Sequence, residues 1–228
     1  MAMLVNQAHL GRRAFLAATV AALCSPGMAA TPPAPSTRKP EAGREYLRLD
    51  PAHPTAGGNR VEVLEFFYYG CPICYEFQPF FSRFLFQTGS QINLRRIPAV
   101  SSEGWESFAR LFYALGMLGE ASRLHWPVYD NYHFDGIKLN DEKVMEDWVA
   151  RNGVDRQKFL AAYASEEVQR NLGQSRELMK QYNIAAVPSV VIQGRYLTSA
   201  RLAGGTRQLA QVIDDLVKLL LQERAKAR

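Results

Sequence analysis

Two cysteines two residues apart, Cys71 and Cys74, sit in the stretch VLEFFYYGCPICYEFQPFF at residues 63–81, and the chain's one other cysteine is Cys24. A Cys-x-x-Cys pair can supply half of a zinc site, act as a structural staple, or cycle between dithiol and disulfide. A closed zinc site needs two more ligands; no second Cys-x-x-Cys exists, and His125 and His133 lie far off in sequence. A disulfide across so short a loop removes little entropy from the unfolded chain, so it is a poor staple. It is well suited to exchange. One thiolate attacks a disulfide and the second resolves the mixed species; in the reverse direction the pair gives its bond to a dithiol.

The flanking elements decide which sulfur reacts. Residues 61–69, VEVLEFFYY, are β-branched and aromatic and predict a buried strand. Gly70 permits a tight turn, and Pro72 suits the first turn of a helix over 72–87, on which Ile73, Phe77, Phe80, Phe81 and Phe84 recur at helical spacing. Pro79 is expected to kink that helix or strain one turn. Cys71 then falls at the helix N-cap, where unpaired N–H groups and the positive dipole end favour its thiolate. Cys74 lies one turn on, within reach of its partner.

Further along, EYLRL at 45–49 reads as a short first strand and INLRRIP at 92–98 as a second core strand. Between 103 and 183 the pattern turns helical. Trp105, Phe108, Leu111, Phe112, Leu115 and Leu118 form one stripe; Asn140 and Gly153 mark a helix start and stop; Ser165 is an N-cap followed by acids. Packing between helices accounts for these stripes. AAVPSVVIQGRYLT reads as strand, turn at Gln193-Gly194, strand, and a last amphipathic helix buries Leu209, Val212, Ile213, Leu216 and Leu220.

The whole chain has 228 residues, 47% of them hydrophobic and 21% charged, enough for one domain with a sizeable core. Its formal charge of +5 is modest, and two of the cations, Arg12 and Arg13, fall in a leader. No basic cluster forms a nucleic-acid stripe, which excludes that class of partner. The leader has a basic pair, an apolar run from Ala14 to Leu23 and small residues at Gly27 and Ala29, the pattern of a cleaved export signal. The run is too short for a permanent span. Its Arg-Arg-Ala-Phe-Leu fits a twin-arginine signal as well as an ordinary secretory one. Cleavage after Ala29 removes Cys24. TPPAPSTRKP at 31–40 is a linker.

The combination of VLEFF, GCPICYEFQPFF and AAVPSVVIQGRY resembles the thioredoxin superfamily and, within it, the DsbA family of exported thiol:disulfide oxidoreductases, over roughly residues 45–222. The resemblance implies an α/β chain, a thioredoxin fold with an inserted helical domain. The expected layout is an export signal at 1–29, a linker at 30–44, the thioredoxin-like domain at 45–102 and 184–228, and the inserted helices at 103–183. Pro188 matches the family's cis proline beside the disulfide. Val187 before it then has backbone free to pair with an extended substrate, the alternative being an ordinary trans proline at a strand edge. Glu65 matches a buried acid that tunes the resolving cysteine. Physics alone leaves a satisfied structural acid equally open, with Arg96 either its partner or a solvated surface arginine. One position departs from the pattern. The family commonly carries His between Pro72 and Cys74, where this chain has Ile73. An imidazolium there would stabilise the Cys71 thiolate; isoleucine offers neither charge nor hydrogen bond, so a less oxidising couple is expected.

The resemblance thus implies a monomeric periplasmic oxidoreductase that donates its Cys71–Cys74 disulfide to reduced exported polypeptides and is re-oxidised by a DsbB-like membrane quinone reductase. No metal, nucleotide or flavin cofactor is implied, because the cysteine pair is itself the redox centre. Two alternatives stay open: a reductase or isomerase on the same fold, although residues 31–60 are too few for a dimerisation domain, and a non-enzymatic thioredoxin-like domain that binds metal or partner chains.

Overall fold

The computed structural model describes residues 38–56 and 58–226. The leader, Cys24 and the first part of the linker lie outside the described residues.

Strand β2 (Val61–Phe67) is the centre of the molecule, and all seven of its residues are buried. Its alternation sends Val61 and Val63 into one core and Leu64 and Phe66 into another on the opposite face. A strand covered on both sides reads as mainly apolar rather than strictly alternating, and the two acids it carries, Glu62 and Glu65, are themselves buried. It pairs in parallel with β3 (Ile92–Pro98) and antiparallel with β4 (Ser189–Ile192). Strand β5 (Tyr196–Ser199) extends β4 as a hairpin, and β1 (Leu47–Arg48) closes that edge, giving the order β1-β5-β4-β2-β3. The strand expected over 45–49 is therefore a two-residue edge pairing, and the one expected over 61–69 stops at Phe67.

The hairpin turns on Gln193 and Gly194, both at positive φ. Glutamine tolerates that backbone because its side chain is fully engaged: Oε1 accepts from Glu62 N and Arg224 Nη2, and Nε2 donates to Thr55 Oγ1. Gly194 has no such choice, since a Cβ there would sit 2.3 Å from the His53 carbonyl oxygen.

One face of the sheet is covered by α1 (Pro72–Thr88) and α8 (Thr206–Lys226). Phe77, Phe81 and Phe84 stack down α1 with centroids 4.9 and 5.8 Å apart, and pack with Leu209, Val212, Ile213, Leu216 and Leu220 of α8. Helix α1 runs unbroken through Pro79 to Thr88, with Pro79 on its exposed side. The helical block follows β3 as α2 (Glu103–Met117), α3 (Ala121–His133), α4 (Glu142–Arg151), α5 (Arg156–Tyr163) and α6 (Glu166–Gln181). Helix α4 starts one residue later than expected. Asp141 rather than Asn140 is its N-cap, with its carboxylate accepting from Val144 N at 3.0 Å. Ser165 caps α6 as expected. The opposite face of the sheet is covered by Leu178 and Met179 of α6 with Tyr182 and Ile184 just beyond it. A short α7 (Ala200–Ala203) leads into α8. This is a thioredoxin fold with an inserted helical domain.

Candidate active site

The chain leaves β2 at Phe67, turns through Tyr68–Gly70 and enters α1 at Pro72. Cys71 N donates to Tyr68 O at 3.1 Å, which closes the turn, and Cys71 O accepts the first helical bond from Tyr75 N. Cys71 is the N-cap, and its Sγ accepts from Cys74 N at 3.3 Å. Among the described residues Cys71 and Cys74 are the free thiols; Cys71 is part-exposed and Cys74 buried.

The two sulfurs are electrostatically unlike. The Cys74 thiol's hydrogen bond, followed by the N–H groups of Cys74 and Ile73, lowers Cys71 to about 7 against burial and the nearby Glu76 charge. Burial pushes Cys74 well up, reinforced by its bond to Cys71 and, more weakly, by the Glu65 charge. At neutral pH a substantial fraction of Cys71 is thiolate, the reactive form, while Cys74 is held as the thiol.

Opposite Cys71 stands the loop before β4. The Val187–Pro188 peptide is cis, and Cys71 Sγ lies 3.7 Å from the Val187 carbonyl oxygen. A groove of about 550 Å³ opens beside this pair, with Ile73 and Phe80 of α1 on one wall and Val187, Pro188, Arg201 and Arg207 around the rest. Ile73 is 41% exposed at its mouth.

Beneath the site, Glu65 is fully buried on β2. Its Oε1 accepts from Gln78 Nε2 at 2.8 Å and its Oε2 from Arg96 Nε at 2.9 Å. Burial nevertheless outweighs these partners and holds the carboxyl above its ordinary range. Arg96 is thus the partner of Glu65, not a solvated surface arginine. Nothing in its residue type singles out Gln78 as a partner of Glu65; the one signal is its place one turn after Cys74 on the buried side of α1.

Two other contacts escape sequence reasoning. The ring of Tyr68 folds back over Gly70, where a Cβ would meet Tyr68 Cε1, Cζ and Oη at 2.6 Å, and it stacks on Trp105 at 4.0 Å and 3°. His125 and His133 both contact Tyr69: His125 Nδ1 pairs with Tyr69 Oη at 2.9 Å, and His133 Nε2 lies 2.7 Å from Tyr69 O. Burial drives His125 well below its usual value, so its imidazole is neutral. Among the described residues no group of three or more His, Cys, Asp or Glu could hold a metal ion.

Residues 62–216 match the family model described as a DSBA-like thioredoxin domain. The chain is 36% identical over 197 residues to the thiol:disulfide interchange protein DsbA of Burkholderia cepacia, covering 86% of this chain and 93% of that one. It is 35% identical over 188 residues to the protein of that name from Pseudomonas syringae pv. tomato, covering 82% and 86%. The crystal structure of Pseudomonas aeruginosa DsbA superposes with a TM-score of 0.74 at 30% identity, over 82% of this chain and 96% of that one.

Proposed function

This chain belongs to the DSBA-like thioredoxin family and is a thiol:disulfide oxidoreductase, and we propose that it works in the periplasm as a donor of its Cys71–Cys74 disulfide to reduced exported polypeptides. One observation carries the direction of attack. The part-exposed Cys71 sulfur has a thiol pKa lowered to about 7, while Cys74 is buried and raised.

In this reading a substrate thiolate attacks Cys71 Sγ of the disulfide form. The Cys71–Cys74 bond breaks, its electron pair goes to Cys74 Sγ, and Cys74 takes up a proton, as its raised pKa favours. The substrate's second thiolate then attacks its own sulfur in the mixed disulfide and expels Cys71 as a thiolate. The substrate dithiol is oxidised by two electrons and the protein is left as a dithiol. The low pKa makes Cys71 the better leaving group in that last step.

The supporting residues have separable parts. Pro72 starts α1 so that Cys71 is its cap. Ile73 and Val187–Pro188 border the incoming chain, with Val187 backbone available for strand addition. Glu65, bonded to Arg96 and Gln78, would tune the resolving Cys74 through its charge. The leader supports export, and the family supports re-oxidation by a quinone-linked membrane protein resembling DsbB.

Ile73 favours a second reading, a reductase or isomerase on the same site. Equilibrating the protein with glutathione buffers and trapping thiols separates the two. A potential well above thioredoxin's, about −270 mV, is expected for the donor; a value near it would overturn the donor reading in favour of the reductant.

A further inference from the structure

The groove beside Cys71 is apolar at its base and charged at its rim, and its charges are unevenly placed. On the α1 side is Glu76, whose charge is felt at Cys71. On the other side is Arg201 of α7, while Arg207, from the first turn of α8, reaches across to Phe80 of α1. About half of the described arginines are ion-paired, as Arg96 is with Glu65, Arg110 with Glu106, Arg156 with Asp147 and Arg195 with Glu223. Among the described residues, Arg201 and Arg207 have no carboxylate within ion-pair distance. Arg207 is also held in place, its guanidinium carbon 5.2 Å from the centroid of the Phe80 ring. A guanidinium resting on an aromatic face keeps its N–H edge free and matches the two oxygens of a carboxylate.

We propose that Arg201 and Arg207 make this groove select substrate segments that carry a carboxylate a few residues from the cysteine being oxidised, alongside apolar side chains that pack on Ile73 and Val187. The inference rests on the disulfide-donor reading above and adds a substrate class to it. Glu76 sets the polarity: it repels an acidic residue placed directly beside the substrate cysteine and tolerates one displaced toward the arginines. Two rim pairs formed on docking, each of modest strength in water, amount to about a 5-fold preference at low ionic strength.

The test is a single-turnover experiment. The protein in its disulfide form, freed of oxidant, is mixed with reduced two-cysteine peptides that differ only in having Glu or Lys three residues to either side of the cysteine pair, and loss of the protein disulfide is followed by thiol trapping. The Glu peptide is expected to react about 5-fold faster at low salt, and the ratio to fall toward one in 0.5 M salt as the charges are screened. In the double variant Arg201→Glu, Arg207→Glu the ratio inverts; being a ratio, it is insensitive to a general loss of activity, and circular dichroism checks the fold. Equal rates, or a faster Lys peptide with the unmodified protein, overturn the charge selection and leave the donor reading standing. No exchange with either peptide overturns the donor reading and this inference with it.

Discussion

Glu65 of β2 and Arg96 of β3 are register partners in the parallel part of the sheet, and Arg96 Nε donates to Glu65 Oε2 across 2.9 Å. The carboxylate has no exposure, while the Arg96 side chain is 20% exposed. The pair is therefore asymmetric: Arg96 can fall back on water and Glu65 cannot. Replacing Arg96 with Met leaves a buried charge with Gln78 alone and is expected to lower the unfolding free energy by about 3 kcal/mol. Adding Glu65→Leu to that background should recover most of the loss. Urea midpoints of the two single variants and the double variant test this; additive losses would contradict it.

Alkylation of the dithiol form should follow Cys71 alone, rising with pH to half its maximum near 7, well below the value near 8.5 of an ordinary thiol. Because the folded pKa is depressed, Cys71 adds stability to the dithiol form that is fully present above the unfolded value and is lost as pH falls through about 7. Comparing thermal midpoints of the dithiol protein and its Cys71→Ser variant between pH 6 and 8.5 should show a gap that widens in favour of the unmodified chain as pH rises.

Substituting Ile73 with His should raise the reduction potential by on the order of 30 mV or more, since an imidazolium beside the Cys71 thiolate favours the dithiol form and 30 mV corresponds to about a tenfold change in the equilibrium. Ile73 is 41% exposed, so the swap disturbs no core packing. Glutathione equilibration of both proteins gives the answer, and an unchanged potential would sink the argument.

Gly70 is needed for the space it leaves. With a Cβ there, Tyr68 must leave its stack on Trp105, and Gly70→Ala should cost about 1 kcal/mol or more. In a Tyr68→Ala background the same change should be nearly free. A double-mutant cycle with a coupling close to zero would rule out the clash as the cause.

The parts of this molecule readable in its sequence are those set by local physics. The β-branched and aromatic run of 61–67, the Pro72 start and the spacing of Phe77, Phe81 and Phe84 each follow from the demands of one element, and together they place Cys71 at a helix cap. The cap of α4 shifts by one residue because Asn140 and Asp141 are both good N-caps and the choice depends on packing around the helix. Arg96 stays undecided between partner and surface cation, and Gln78 escapes, because partnership with Glu65 depends on strand register and on which side of α1 faces the sheet. The fold of Tyr68 over Gly70 depends on Trp105, which lies beyond both α1 and β3 in the chain. The unpaired state of Arg201 and Arg207 is likewise a fact of three dimensions, since each looks like any other surface cation in the chain.

The Cys71 sulfur and the Val187 carbonyl oxygen are 116 positions apart, with the whole helical block between them. A chain emerging amino end first completes β2, the turn and the cap of α1 long before the β4–β5 hairpin is available to pair along the free edge of β2. Long-range pairing of this kind comes late in assembly. Reactivity thereby precedes discrimination: a half-built molecule owns a sulfur with nothing to tell one thiol from another, and only closure of the sheet gives it a preference.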